Sequence, residues 1–493
     1  MSQIPTGVPG LDRVLNGGLV GGHNVLVQGT PGAGKTTLGM QFIHEGATQF
    51  NEPGLIISFE EHPEQLHREA LNFGWDLKAL EVAGKLKILA TSPAVFKQQM
   101  ENSQELIPTM AREMGVKRIL IDSLSHFQRV EQDPVKLREL LSSTLNGLKR
   151  GGYTTLVTQE VGHEESGEVA FEQYIVDAVI RIFFTAFKRV ERRRAIEVLK
   201  ARGQTFMAGK HAVYISDRGL RVYPRPQPEL PVISLGAALQ RVSSGIYGLD
   251  RMLEGGLLAS SSLLVAGDPG VGKTLLTLHF LAAGPEAGEK GLFVSLGTDP
   301  AKLVQSAKSI GMNLAALEEA GQLFFLTRSP VNLDPDQFYW ELRDFLDANP
   351  VQRIVIDSLT DLEPALDDPK RLRDYLYSLI DLFAQRGITS MITRQSMGEG
   401  GLEYDVAMVF DGIMMMRLKS MQDHLRKTLS ILKMQGTPHD SGTRTVKISS
   451  QGYQVETKFE PTSAFLRHLQ QGGGQGSTEE TFTPQPTQAA AAH

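Results

Sequence analysis

The chain carries one glycine-rich signature twice, and nothing else in it constrains folding as strongly. Gly29-Thr30-Pro31-Gly32-Ala33-Gly34-Lys35-Thr36 and Gly267-Asp268-Pro269-Gly270-Val271-Gly272-Lys273-Thr274 both fit the pattern G-x-x-x-x-G-K-[ST]. Such a loop works between a strand and a helix. Its glycines let the backbone turn tightly and aim N–H groups inward, and the following helix brings the positive end of its dipole. That arrangement suits the phosphates of a nucleotide such as ATP. Lys35 and Lys273 would neutralise the terminal phosphates, and Thr36 and Thr274 would offer a hydroxyl to Mg2+. Thr37 and Leu275 follow as the next residues of each expected cradle. A lone match could be a chance glycine turn. Here each match follows an apolar run, VLVQG or LLVAG, and opens a helix-like stretch.

The duplication extends beyond the loops. TGVPGLDRVLNGGL (6–19) matches SGIYGLDRMLEGGL (244–257), RILIDSL (118–124) matches RIVIDSL (353–359), and EVLKARG (197–203) resembles SILKMQG (430–436). The order is kept and the offset stays at about 235 residues. Gene duplication explains this better than convergence of separate segments. A length of 493 residues accommodates two domains. The reading is a first domain over 1–223, a stiff proline-rich linker over 224–243 and a second domain over 244–456. A tail over 457–493, rich in Gly, Gln, Thr and Ala, is too poor in apolar residues to order itself.

Within each half, short apolar runs alternate with helix-like segments. NVLVQG, LIISFE, RILID and TTLVTQ have strand length, and Lys35–Glu45 and Pro134–Lys149 read as helices. Near-continuous apolar strands separated by helices predict an α/β domain with a mostly parallel sheet covered on both faces. The segment IRIFFTAFKRVERRRAIEVLKARG alternates instead, which suits added antiparallel strands.

Composition narrows the function classes. The chain is 41% hydrophobic and 22% charged, and no apolar run approaches the roughly 20 residues that span a bilayer. It has no cysteine, which excludes disulfides and thiolate metal sites, and MSQIPTGVPG lacks the features of a signal peptide. A cytoplasmic protein without membrane contact is the expectation. The net charge of −6 argues against a nucleic-acid binder driven by bulk electrostatics. The basic cluster Lys188-Arg189 with Arg192-Arg193-Arg194 reads as a solvated edge.

Two further positions point to phosphoryl chemistry. Asp122 and Asp357 each end an apolar strand, ILID and IVID, where a carboxylate would hold Mg2+ and its waters. After the second strand the halves diverge. The first has Ser58-Phe59-Glu60-Glu61-His62-Pro63 and the second Ser295-Leu296-Gly297-Thr298-Asp299-Pro300, so Glu60 faces Gly297 and Glu61 faces Thr298. A carboxylate at this strand end can polarise an attacking water, whereas glycine cannot and threonine is a poor base.

These residues resemble the KaiC family, a RecA-like group of ATPases, over nearly the whole chain to about residue 455. The resemblance rests on the GxxGLD…GGL opening, the phosphate loop, Glu60-Glu61, the LIDSL strand, and the segments Glu191–Arg194 and Leu199–Gly203. It implies two tandem RecA-like P-loop NTPase domains and a homo-hexamer with ATP between neighbouring subunits. It also implies that Glu60 and Glu61 activate water, and that Lys200 and Arg202 reach the next subunit's nucleotide. The second half departs from the family pattern. Its glutamate pair is gone, Lys200-Ala201-Arg202 becomes Lys433-Met434-Gln435, and Ala407 and Met408 stand where adjacent phosphoacceptors would lie before Asp411.

The expectation is therefore a Mg2+-dependent ATPase. Its first half hydrolyses ATP, and its second half keeps a structural or regulatory nucleotide site. An autokinase, a signalling scaffold and a DNA-associated ATPase are the alternatives, and the sequence offers no acceptor pair, zinc motif or long basic stretch for them.

Overall fold

The computed structural model describes residues 2–101, 106–127, 131–162, 171–187, 191–228, 240–366, 368–396, 404–421, 424–450 and 452–457. Lys188, Arg189, most of the proline-rich linker and the tail from 458 lie outside the described residues. The described chain falls into two compact units. One takes in residues within 1–232, 329–350 and 361–382, and the other residues within 233–328, 351–360 and 383–493.

The first unit is built on a nine-stranded sheet. Its strands are β1 (Asn24–Gly29), β2 (Gly54–Ser58), β3 (Leu86–Ala90), β4 (Arg118–Asp122), β5 (Thr154–Glu160), β6 (Ala178–Phe187), β7 (Glu191–Ala201), β8 (His211–Ser216) and β9 (Gly219–Tyr223). The spatial order is β3-β2-β4-β5-β1-β6-β7-β8-β9. The six strands from β3 to β6 run parallel, and β7 to β9 add on antiparallel. The apolar runs predicted as strands are β1, β2, β4 and β5, and the alternating segment is the β6–β7 hairpin.

Side chains alternate between the two faces of this sheet, and each face has its own core. Val25, Val27, Ile56 and Leu120 join Leu38, Phe42 and Ile43 of helix α1 (Lys35–Gln49). Leu26, Leu55, Ile57, Ile119 and Ile121 join Leu141 and Leu145 of helix α3 (Pro134–Arg150). Helix α2 (Pro63–Leu71) lies between β2 and β3 in the chain. The α3 start is set locally: Asp133 accepts from the N–H groups of Val135 and Lys136, and Pro134 takes the position where no N–H is needed.

The second unit repeats the sheet strand for strand. Its strands are β10 (Ser262–Gly267), β11 (Gly291–Leu296), β12 (Leu323–Arg328), β13 (Arg353–Asp357), β14 (Thr389–Gln395), β15 (Gly412–Met421), β16 (His424–Met434), β17 (Arg444–Ser449) and β18 (Gly452–Val455). The order β12-β11-β13-β14-β10-β15-β16-β17-β18 is that of the first sheet, and helix α4 (Lys273–Ala282) follows β10 as α1 follows β1.

The repeat also preserves a buried cation. Arg118 is fully buried, donates to Glu52 at 2.6 Å and to the Phe42 carbonyl at 3.0 Å, and lies over the Phe42 ring. Arg353 does the same with Glu289, the Phe280 carbonyl and the Phe280 ring. Among the described residues no helix is long and apolar enough to cross a membrane.

Candidate nucleotide sites

The parallel strands deliver their C-terminal ends to one edge, where α/β sheets bind ligands. Gly29 closes β1, and Gly34 turns the chain into α1 at φ 107°, a left-handed conformation that a side chain would strain. A Cβ on Gly34 would also stand 2.7 Å from Ile215 Cδ1. Pro31, Gly32, Gly34, Lys35, Thr36 and Thr37 line one side of a cavity of about 390 Å3. Thr30 and Ala33 are buried beneath them. Lys35 curls back to give its Nζ proton to the Thr30 carbonyl at 3.0 Å and lies 3.9 Å from Glu160. Burial lowers its pKa, while Glu160 and Asp122 oppose that shift.

Across the cavity, Asp122 ends β4 and accepts from Thr36 Oγ1 at 2.7 Å. Its other oxygen accepts from Thr158. A hydroxyl and a carboxylate already converging on one point form an all-oxygen donor set. Mg2+ favours such a set, since it keeps several waters and takes its remaining ligands from phosphate. The residues present therefore fit the ion.

Glu60 and Glu61 follow β2 and line the same cavity. They are not equivalent. The Glu60 carboxylate is largely exposed and accepts from His126 Nε2 at 3.0 Å. Glu61 Oε2 is buried with no hydrogen-bond partner among the described residues. Burial, and then the charges of Glu69, Asp122 and Glu60, push the Glu61 carboxyl up to about 7.

Glu69, Glu160 and Arg194 also line this cavity, and the sequence reading missed all three there. Glu69 had a usable signal: it lies on α2, which begins two residues after Glu61, and bonds Gln65 one turn back. Arg194 reaches the loop from β7, with Nη2 donating to the Gly32 carbonyl at 3.3 Å, a contact that no local pattern announces.

In the second unit the cradle is rebuilt on β10 and α4. Gly267 closes the strand, Gly270 and Gly272 take positive φ, and Val271 is buried. Lys273 Nζ donates to the carbonyls of Gly267 and Asp268 at 2.9 Å each. Thr274 Oγ1 donates to Asp357 Oδ2 at 2.7 Å, as in the first half. Leu275 is partly buried and packs against the core. Pro269 lies in the turn after β10. Asp268 is the departure: its carboxylate accepts from Arg417 at 3.2 Å and from the Leu418 N–H at 2.7 Å, tying the loop to β15. At the matching place Thr30 Oγ1 is buried without a partner among the described residues. At the strand end, Thr298 N–H bonds Ser295 Oγ at 3.0 Å just as Glu61 N–H bonds Ser58 Oγ. That hydrogen bond is retained and the carboxylates are absent. Asp299 serves as a helix cap, accepting from the Ala301 N–H.

Comparison with known proteins agrees with this geometry. A family model described as the KaiC ATPase matches residues 4–227 and again 242–460. The chain belongs to the KaiC family. It is 32% identical to the circadian clock oscillator protein KaiC of Thermostichus vulcanus over 473 residues, covering 93% of this chain and 90% of that relative. The KaiC of Thermosynechococcus vestitus gives the same figures, and KaiC 1 of a Synechocystis species is 31% identical with the same coverage.

The KaiC resemblance also assigned roles to Lys200 and Arg202, and the structure places both far from their own phosphate loop. Lys200 pairs across the hairpin with Val179, whose β1 neighbour is Leu26, three residues before Gly29. That is about 10 Å along the strand and two strands aside. There Lys200 Nζ donates to the carbonyls of Gln173 and Val176 at 2.7 Å, and Arg202 donates to Tyr174 O at 3.2 Å. Burial, then the Arg202 charge, lowers the Lys200 pKa. The basic cluster needs a correction. It was expected to be a solvated edge, yet Arg193 pairs with Asp334 at 3.1 Å and Arg194 lines the nucleotide cavity.

Proposed function

We propose that this KaiC-family chain is a Mg2+-dependent ATPase that hydrolyses ATP in its first half and binds nucleotide in its second half chiefly to hold or regulate the assembly. The observation that carries the division is Glu61. Its Oε2 is buried in the cavity that Lys35 and Asp122 also line, whereas Thr298 makes the matching N–H bond in the second half.

In the first half, Lys35 and the loop N–H groups bind and orient the phosphates. Thr36 and Asp122 would hold Mg2+, which neutralises charge developing on the β- and γ-phosphates. Glu61 takes the proton of the attacking water, and its pKa near neutrality suits a general base. Lys200 and Arg202 lie too far away to serve their own ATP, so they act on the nucleotide of a neighbouring copy. That assignment goes with a homo-hexamer, as the resemblance implies. Clock-type autophosphorylation is not part of the proposal: residues 404–411 of the second half contain no serine or threonine, and Ala407 and Met408 stand at the acceptor positions. A cytoplasmic site of action accords with the cysteine-free composition.

Changing Glu60 and Glu61 to Gln is expected to abolish phosphate release while ATP still binds. Unaltered release from that variant removes the reading.

A further inference from the structure

His126 belongs to no motif singled out in the sequence, yet it links the two loops that frame the first cavity. It closes the short turn Leu124–His126 that follows Asp122, the magnesium candidate. Its ring is nearly buried, and its Nε2 donates to the exposed Glu60 carboxylate at 3.0 Å. Glu60 sits on the segment between β2 and α2 that also carries Glu61. The contact therefore ties the segment bearing the proposed base to the segment bearing the metal carboxylate. Phe59 reinforces the junction. Its N–H donates to the Asp122 carbonyl at 2.9 Å, and its ring packs edge-on to Phe127 and against His126.

The internal repeat separates what this turn needs for folding from what it adds. Ser125 Oγ accepts from the Glu160 N–H, and in the second unit Thr360 Oγ1 accepts from the Gln395 N–H in the same way. That anchor is common to both halves and holds the turn to the neighbouring strand. The His126–Glu60 contact is not common. Asp361 stands at the His126 position and Gly297 at the Glu60 position. Gly297 also has φ 123°, a backbone that a glutamate would adopt only under strain. The turn folds without the contact, and the contact occurs only where Glu61 is present.

We propose that His126 is a positioning residue for ATP hydrolysis, acting through Glu60 to hold the Glu61 segment in register with Asp122. The proposal rests on the hydrolytic reading of the first half. Glu60 becomes the tether and Glu61 the group that meets the water. An exposed glutamate has many rotamers, and hydrogen bonding to a buried, packed imidazole removes most of that freedom before substrate arrives.

The test uses the full chain and steady-state ATP turnover. His126→Phe keeps a ring of similar size and loses the donor. It is expected to lower kcat on the order of tenfold with KM for ATP within about twofold. His126→Gln, whose amide can donate from nearly the same place, is expected to restore most of the rate. On a Glu60→Ala background His126→Phe is expected to add nothing, because the pair acts as one unit. An unchanged kcat in His126→Phe, or an equal further loss on the Glu60→Ala background, overturns the proposal. If His126→Phe does not fold, as judged by ATP binding and thermal unfolding, His126→Asn replaces it, since its shorter amide does not reach Glu60. Retained turnover in Glu61→Gln sinks the hydrolytic reading and the proposal with it. An inactive Glu61→Gln beside an unaffected His126→Phe removes the positioning role alone.

Discussion

Thr36 and Asp122 are 86 residues apart in the chain, and their Oγ1 and Oδ2 atoms are 2.7 Å apart. Thr274 and Asp357, 83 residues apart, repeat the contact at the same distance. The two halves therefore keep the same hydroxyl–carboxylate pair while differing in the residues around it. Asp122→Asn is expected to lower ATP turnover by about two orders of magnitude. Asp357→Asn is expected to reduce Mg2+-dependent nucleotide retention and leave turnover within about twofold. Bound-nucleotide content and phosphate release, measured on the same preparations with and without EDTA, check both.

Glu61 gives turnover a pH dependence. Its carboxyl is raised from 4.5 to about 7 by burial, then by Glu69, Asp122 and Glu60. A general base must be ionised, so kcat/KM for ATP is expected to rise with pH along a limb near 7. Glu69→Gln removes the largest of the three charges and should move that limb to lower pH. Stability runs the other way. The native state holds this proton more tightly than the unfolded chain, so the contribution of this group is fully present below about 4.5 and declines as pH rises to about 7. A limb that stays in place in Glu69→Gln counts against Glu61 as its origin.

Arg202 is expected to act on a neighbour's nucleotide, since its own loop lies at the other end of the sheet strands. Arg202→Ala alone should lower turnover on the order of 10³-fold. Mixing it with the equally inactive Glu61→Gln protein creates boundaries at which one copy supplies Glu61 and the other Arg202. Turnover should then recover to well above that of either variant. No recovery after verified subunit exchange means that the arginine does not act between copies.

Asp268 straps the second phosphate loop to β15 through Arg417 and the Leu418 N–H. Asp268→Thr installs the first-half residue and removes both bonds. The expected cost is about 1 kcal/mol, roughly fivefold in nucleotide affinity at that site. Nucleotide exchange monitored with a fluorescent ATP analogue should show faster release from the second half, with first-half turnover unchanged.

Glu52 and Glu289 each pair with a buried arginine. Removing either acid leaves a cation in the core without its carboxylate. Glu52→Ala and Glu289→Ala are each expected to destabilise their own domain by about 2 kcal/mol, a fall of roughly 4–8 °C in one calorimetric transition. Equal effects on both transitions would mean that the halves unfold as one unit.

Much of this was legible in the sequence because the chemistry is local. A phosphate loop is eight consecutive residues whose glycines and lysine act together, so its pattern survives in one dimension. Buried parallel strands such as NVLVQG and RILID show as apolar runs, and the repeat exposed the loss of Glu60 and Glu61 at Gly297 and Thr298. The partners of those residues were not legible. Glu69, Glu160 and Arg194 come from three different elements and meet at one cavity, and His126 touches its Glu60, only because the fold brings the ends of β1, β2, β4 and β5 together.

The sequence by itself determined that the chain is a duplicated nucleotide-binding α/β protein of the KaiC family with unequal halves, since contiguous motifs and their repetition carry that information. The tertiary structure decided how the two glutamates differ. Burial beside Glu69 and Asp122 raises the Glu61 pKa, while a hydrogen bond from His126 holds Glu60 at the surface. Adjacent residues of one kind acquire different chemistry because dielectric and neighbouring charge are set by packing across the chain.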